Sequence, residues 1–87
     1  MKSFALTIST PDGHCFQGEA VFLALRGTEG DLAVLAGHTP FVTSVVPCDV
    51  RFELPDETEK CGFADGGLLT VAPEGVTLLS GHFTWKD

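Results

Sequence analysis

Apolar and polar residues alternate along several stretches of the chain, with the period of two that is typical of a β-strand with one buried face. The first stretch places Phe4, Leu6 and Ile8 on one face, between small or hydroxyl-bearing residues. A period of two also fits residues 50–54, 68–71 and 76–79, whereas residues 21–25 are apolar throughout, as expected of a strand that is covered on both faces. No stretch keeps the spacing of three and four residues that is typical of an amphipathic helix, so the pattern predicts strands throughout.

Turn-forming residues separate these stretches at short intervals. Glycine permits positive φ and proline fixes φ, so we expect each such point to reverse the chain. The points are Pro11-Asp12-Gly13, Gly27 with Gly30, Gly37, Pro47, Pro55-Asp56, Gly66-Gly67 and Pro73-Glu74-Gly75. Short strands between regular turns predict an all-β fold, a flattened β-sandwich or barrel of about 8–10 short strands. We expect residues 1–87 to form a single domain, with no C-terminal helical domain.

The composition narrows the range of functions. Twelve acidic residues against five scattered basic ones give a formal net charge of −7. A surface this negative repels phosphate backbones and anionic lipids, which argues against nucleic acid and direct membrane contact. Three cysteines cannot all pair within the chain, so reduced thiols are expected. No segment reaches the roughly 20 apolar residues that cross a bilayer.

The residue types that carry catalysis do not form a recognisable constellation. Cys15 follows His14 directly, and neighbours in a strand point to opposite faces, so they cannot act as a nucleophile and its base. The remaining histidines and cysteines match no local metal motif in their spacing. Gly66-Gly67 is not followed by the Gly-Lys-Ser/Thr of a phosphate loop. We therefore predict no catalytic residue, no metal site and no cofactor.

The most informative stretch is the run Gly-Asp-Leu-Ala-Val-Leu-Ala-Gly-His-Thr-Pro at residues 30–40. It resembles the signature Gly-x-Leu-Gly-Val-Leu-Pro-Gly-His-Ala-Pro of the epsilon subunit of F-type ATP synthases. The flanks agree in order, because residues 8–12 and 16–20 resemble that family's Val-x-Thr-Pro-Glu and Phe-x-Gly-Glu-Ala. Further matches follow at residues 66–68 and 76–79. The resemblance thus covers nearly the whole chain.

The chain also departs from the family pattern. Arg26, Ala33, Ala36 and Cys48 stand where the family usually has Pro, Gly, Pro and Gly, which affects turn geometry more than the fold. Family members usually continue into a helical hairpin that can inhibit ATP hydrolysis. This sequence stops at Asp87, so the resemblance implies a short form without that hairpin.

The resemblance implies a non-catalytic rotor subunit in the central stalk of a proton- or sodium-translocating ATP synthase. One copy would join the gamma subunit to the membrane c-ring during ion-driven ATP synthesis. The implied location is the cytoplasmic face of the bacterial plasma membrane, with membrane contact only through other subunits. The residues implied at the c-ring are Glu29, Gly30, Asp31, Gly37, His38 and Thr39. Those considered for the gamma subunit are Phe41, Val42, Phe83 and Trp85.

Several of these residues have a second interpretation. Glu29 and Asp31 are either hydrogen-bond acceptors for a partner or ordinary solvated turn carboxylates. His38 either contacts a partner or satisfies backbone groups in its own turn. Phe83 and Trp85 either anchor an interface or dock back on their own domain. The alternative for the chain as a whole is a freestanding β-sandwich that binds another protein or a small ligand.

Overall fold

The computed structural model describes residues 2–86 and contains eight β-strands in that range. The four strands of the N-terminal half are β1 (Phe4–Thr10), β2 (Gly13–Ala20), β3 (Phe22–Gly27) and β4 (Gly30–Val34). The four strands that follow are β5 (Phe41–Glu53), β6 (Glu59–Ala72), β7 (Gly75–Leu79) and β8 (Phe83–Lys86). The predicted all-β fold is therefore confirmed, and the strand number lies at the lower end of the expected range.

Backbone hydrogen bonds join all eight strands in the order β2-β1-β7-β6-β5-β3-β4, with β8 pairing on β6. All neighbouring pairs are antiparallel except β1 and β7, which run parallel. β7 and β8 lie beside different parts of β6, since β7 pairs with residues 68–72 and β8 with residues 61–64. One end of the β5–β6 hairpin therefore lies beside β7 and its other end lies beside β8.

The β5–β6 hairpin corrects two of the predicted turns. Pro47 and Gly66-Gly67 do not reverse the chain, because they lie inside strands of 13 and 14 residues, where Pro47 pairs with Asp65 and Gly67 with Val45. The register is the same on either side of this point, although proline has no N–H to donate across it. Gly66 and Gly67 have φ of 77° and 145°, which bends β6 without ending it. The same turn-forming residues thus produce a bend when a long partner strand holds them.

The bend brings distant strands of the sheet face to face. Phe16 on β2 and Phe52 on β5 have ring centroids 4.7 Å apart, although three strands separate β2 from β5 in the sheet. The buried side chains form one cluster to which all eight strands contribute, and β2 contributes Ala20 at its end. Alternation along each strand therefore fills the space between two layers, as in a sandwich.

The C-terminal strand packs on its own domain. The Phe83 side chain is only 9% exposed, and Gly62 on β6 leaves the space that its ring occupies. Trp85 lies at the edge of the same cluster, with ring centroids 5.1 Å from Phe83 and 6.0 Å from Phe52. Docking back is present for Phe83, whereas Trp85 is 43% exposed and its contact with a partner stays a prediction. Phe83 consequently offers little surface to a partner.

Residues 54–58 connect β5 to β6 and include most of the acidic run at residues 56–59. Asp56 stabilises this turn, because its Oδ1 accepts a hydrogen bond of 3.0 Å from the Thr58 N–H. That hydrogen bond lowers the pKa of Asp56 below its ordinary value. Glu57 has a positive φ of 72° in this turn, and its N–H donates to the Leu54 carbonyl.

We expect acid to loosen this turn. Because the pKa of Asp56 is lower in the folded chain, its contribution to stability is complete above the ordinary value of 3.8 and is lost as pH falls through the folded value. Asp56→Asn keeps an acceptor oxygen that does not titrate. NMR of the Thr58 amide between pH 7 and pH 2 should show a titration below 3.8 in the wild type and none in the variant. An equal titration in both proteins would contradict the role of Asp56.

Candidate partner-binding site

A two-residue turn joins β3 to β4. Gly27 pairs with Gly30, which leaves Thr28 and Glu29 at the tip. Gly30 has a φ of 121°, a conformation that favours glycine and makes the tight turn possible. Glu29 is exposed at this tip, as its predicted contact with a partner requires.

Arg26 and Asp31 lie opposite one another at the base of this hairpin. The Arg26 Nε donates to the Asp31 Oδ1 at 2.8 Å, and both side chains are exposed. The hydrogen bond and the charge of Arg26 lower the pKa of Asp31. Asp31 is therefore not a free acceptor, since one of its oxygens is already bonded within the chain. An exposed pair of this kind is weak enough to exchange for a partner.

A second turn, residues 35–40, carries His38. Its N–H donates to the Leu35 carbonyl at 3.2 Å, and its Nδ1 lies 3.0 Å from the Thr39 carbonyl oxygen. Gly37 has a φ of 85°, which lets the chain turn at this point. The backbone role considered for His38 is therefore present in the structure. Because the Thr39 bond uses only Nδ1 and the residue is exposed, contact with a partner through Nε2 stays a prediction.

The two turns form the walls of one groove of about 370 Å³. We call it the turn groove. Its lining includes six of the residues predicted as interface residues, namely Glu29, Gly30, Asp31, His38, Phe41 and Val42. Gly37 and Thr39 belong to the same 35–40 turn but do not line the groove. Phe83 and Trp85 lie on β8, which pairs with a different part of the sheet.

Across four neighbouring strands, one outer face of the sandwich carries no charged side chain. This part of the face consists of the outward residues of β1, β7, the second half of β6 and the first half of β5. One row across these strands is Thr7, Thr77, Thr70 and Val42, and the next row is Ser9, Leu79, Leu68 and Ser44. Val42, Leu68 and Leu79 are exposed on this face. We call these eight residues the neutral face.

The other outer face differs in its chemistry. Phe63 is exposed there between its cross-strand neighbours Asp49 and Thr84. The Lys86 Nζ donates to the Asp49 Oδ1 at 3.1 Å, so an ion pair borders the phenylalanine. In a chain with a net charge of −7, the neutral face is therefore a local property of one side of the sandwich.

The sequence did not reveal Leu68 and Leu79 as surface residues of interest. Each follows or precedes a buried neighbour in an apolar run, so the run alone does not say which side chains face outward. The ion pair of Arg26 with Asp31, in contrast, can be predicted from the sequence. A two-residue turn between Gly27 and Gly30 places residues 26 and 31 directly opposite one another, which predicts their ion pair.

Residues 2–86 contain no group of three or more His, Cys, Asp or Glu side chains placed to hold a metal ion. Cys15, Cys48 and Cys61 are free thiols. Within the same range, no helix has the length and apolar character to span a membrane.

The structure is a β-sandwich domain on which the turn groove adjoins the neutral face at Val42. A sequence profile described as "ATP synthase, Delta/Epsilon chain, beta-sandwich domain" matches residues 3–86. The chain therefore belongs to the ATP synthase delta/epsilon chain family, as the resemblance in its sequence indicated.

Two solved structures have a similar fold. One is a chain of the Euglena gracilis mitochondrial ATP synthase, in a cryo-EM structure of OSCP, F1 and c-ring, with a TM-score of 0.89 and 24% identity. The other is a chain of the Tetrahymena thermophila mitochondrial ATP synthase central stalk and c-ring, with a TM-score of 0.76 and 11% identity. The match covers 95% and 94% of this chain, but 53% and 66% of those chains. The chain thus spans between half and two thirds of their length.

Proposed function

We propose that this chain is a non-catalytic rotor subunit that joins the gamma subunit of an ATP synthase to the membrane c-ring. The observation that carries this proposal is the family match over residues 3–86. The arrangement of the two surfaces supports it, because Val42 belongs to the neutral face and also lines the turn groove. A connector between two partners needs two such adjoining surfaces on one rigid body.

The turn groove is the surface that we assign to the c-ring. Glu29 at the hairpin tip and the second oxygen of Asp31 are acceptors for Arg or Lys on polar loops of the ring. His38 adds a ring nitrogen at the other wall. Each contact is modest at an exposed site, so we expect the three residues to act together.

The neutral face is the surface that we assign to the gamma subunit. It lacks charges that would have to be desolvated, and its exposed Val42, Leu68 and Leu79 gain from burial. Four strands and about five residues of length give an area of about 300 Å². A stable interface needs about 800 Å² per partner, so the gamma subunit would extend beyond this face. This assignment retains Val42 from the residues considered for gamma and adds Leu68 and Leu79.

A connector that transmits torque has to resist deformation. The backbone ladders and the close-packed core of the sandwich provide this resistance, since protein interiors have low compressibility. In this proposal residues 1–87 act as a single coupling domain at the cytoplasmic face of a bacterial membrane, held there by its partners.

Replacing Glu29, Asp31 and His38 together with Ala tests the proposal. We expect c-ring affinity to fall by about tenfold or more, because the partner groups lose their acceptors. In the enzyme reconstituted with the other subunits of the source organism, ATP hydrolysis should continue while ion pumping per ATP falls. The isolated domain should keep its thermal unfolding midpoint, because all three side chains are exposed.

A matched triple variant is the control. Asp12→Ala, Glu59→Ala and His82→Ala together remove the same kinds of side chain at exposed positions away from the turn groove. We expect coupling to stay intact in that variant. Equal coupling in both triple variants would contradict the assignment of the groove. Native mass spectrometry of the wild-type chain that shows no complex with gamma and c subunits would contradict the function itself and favour a freestanding binding module.

A further inference from the structure

The ladder between β3 and β5 is interrupted beside the turn groove. Ala24 pairs with Arg51 and Gly27 pairs with Val45, so the two residues between them on β3 face five on β5. The pairing of β5 with β6 keeps its register through the same segment. The interruption therefore leaves part of the β3 backbone without a partner on β5, at the base of the β3–β4 hairpin.

A single thiol fills this gap. The Arg26 N–H donates to the Cys48 Sγ at 3.4 Å. The Cys48 thiol in turn donates to the Arg26 carbonyl oxygen at 3.8 Å. A thiol is a weak donor and a weak acceptor, so it can satisfy both backbone groups of one residue. Cys48 is half-buried and also packs against the hydrophobic core, which limits its movement.

Arg26 connects this contact to the turn groove. Its backbone is bonded to Cys48, while its side chain is bonded to Asp31 at 2.8 Å. Asp31 in turn lines the groove. We infer that Cys48 is a positioning residue, whose thiol replaces the missing β5 backbone and thereby sets the Arg26–Asp31 pair at the groove. The local effect is independent of the function proposed above, whereas the effect on c-ring binding rests on it.

The test compares Cys48→Ala with Cys48→Ser in the isolated chain. Alanine removes both hydrogen bonds, so we expect the Arg26 amide to exchange with solvent about threefold to tenfold faster. Serine also donates and accepts, so it should restore most of the protection. The Asp31 carboxyl gives a second readout. Its pKa, measured by NMR, should move up toward the ordinary Asp value in Cys48→Ala and return in Cys48→Ser.

Cys61→Ala is the matched control, because it removes a half-buried thiol on the neighbouring strand, whereas the hydrogen bonds of Arg26 that involve a side chain within residues 2–86 go to Cys48 and Asp31. It should change neither the Arg26 exchange rate nor the Asp31 pKa. A purely structural role for Cys48 would lower the unfolding midpoint in the alanine variant and leave the Asp31 pKa unchanged, and that result would overturn the inference.

Binding to a complex of gamma and c-ring separates this inference from the proposed function. If the wild-type chain binds, Cys48→Ala should bind several-fold more weakly and Cys48→Ser nearly as well as the wild type. Equal binding by Cys48→Ala and the wild type would overturn the link to the partner. Absence of binding by the wild-type chain would instead contradict the proposed function, and the exchange and pKa measurements would still decide the local role of Cys48.

Discussion

Gly67→Ala is expected to lower the stability of the fold more than alanine at Gly30 or Gly81. Gly67 has a φ of 145°, and a Cβ at this position would overlap the carbonyl oxygen of Leu79 and lie 3.0 Å from the Ser80 Cα. These are backbone atoms of the neighbouring strand, so no side-chain rotation relieves the contact. We expect backbone strain and overpacking together to cost about 3 kcal/mol or more, a large share of the stability of a small domain.

Thermal unfolding followed by circular dichroism measures this effect, and two glycines give matched controls. Gly30→Ala introduces a Cβ at a φ of 121° into open space, so it reports the backbone strain alone. Gly81→Ala has neither a left-handed φ nor a neighbour within 4 Å, and it should change little. At about 4–8 °C per kcal/mol, Gly67→Ala should lower the midpoint by more than about 12 °C. A midpoint equal to that of Gly30→Ala would show that β6 and β7 are not so closely packed.

Leu68→Glu is expected to weaken binding to the gamma subunit strongly without disturbing the fold. Leu68 is 40% exposed near the middle of the neutral face, beside Ser44 and Leu79. If that face is covered by gamma, the new carboxylate is buried without a partner. The penalty is about 3 kcal/mol, which corresponds to an affinity about 100-fold lower. A pulldown or calorimetric titration with the gamma subunit measures it.

Phe63→Glu provides the control for this prediction. Phe63 is 39% exposed, so Phe63→Glu replaces an apolar side chain that is about as exposed as Leu68. Phe63, however, lies on the other outer face, beside Asp49. We expect its affinity for gamma to match that of the wild type. If Phe63→Glu abolished binding and Leu68→Glu did not, the gamma subunit would have to be assigned to the opposite face.

Alternation predicted the core where polar residues separate the apolar ones. Leu6, Ile8 and Phe52 are fully buried and their neighbours are less so, because burial there follows directly from the period of a strand. The turn residues were less informative. Pro47 is an example, since a proline bends or ends a strand according to whether the opposite strand continues past it, and this information is not local.

The candidate site was predictable only in part. The short turn between β3 and β4 implies that residues 26 and 31 face one another, and the family resemblance pointed to residues 29–31 and 37–39. The neutral face was not predictable in this way, because it depends on which strands lie beside β6. Cys48 could not be recognised either. Its contact with Arg26, which is 22 residues away in sequence, arises from the interruption of the β3–β5 ladder.

The long β5–β6 hairpin also determines how the domain would carry a mechanical load. It begins near Val42, where the turn groove and the neutral face meet, and continues to Glu53 through both layers of the sandwich. A force along these strands acts on all the hydrogen bonds of the ladder at once, in shear, whereas a force across them would break the bonds one at a time, as in a zipper. Pulling along the hairpin should therefore meet the greatest resistance of any direction in the molecule.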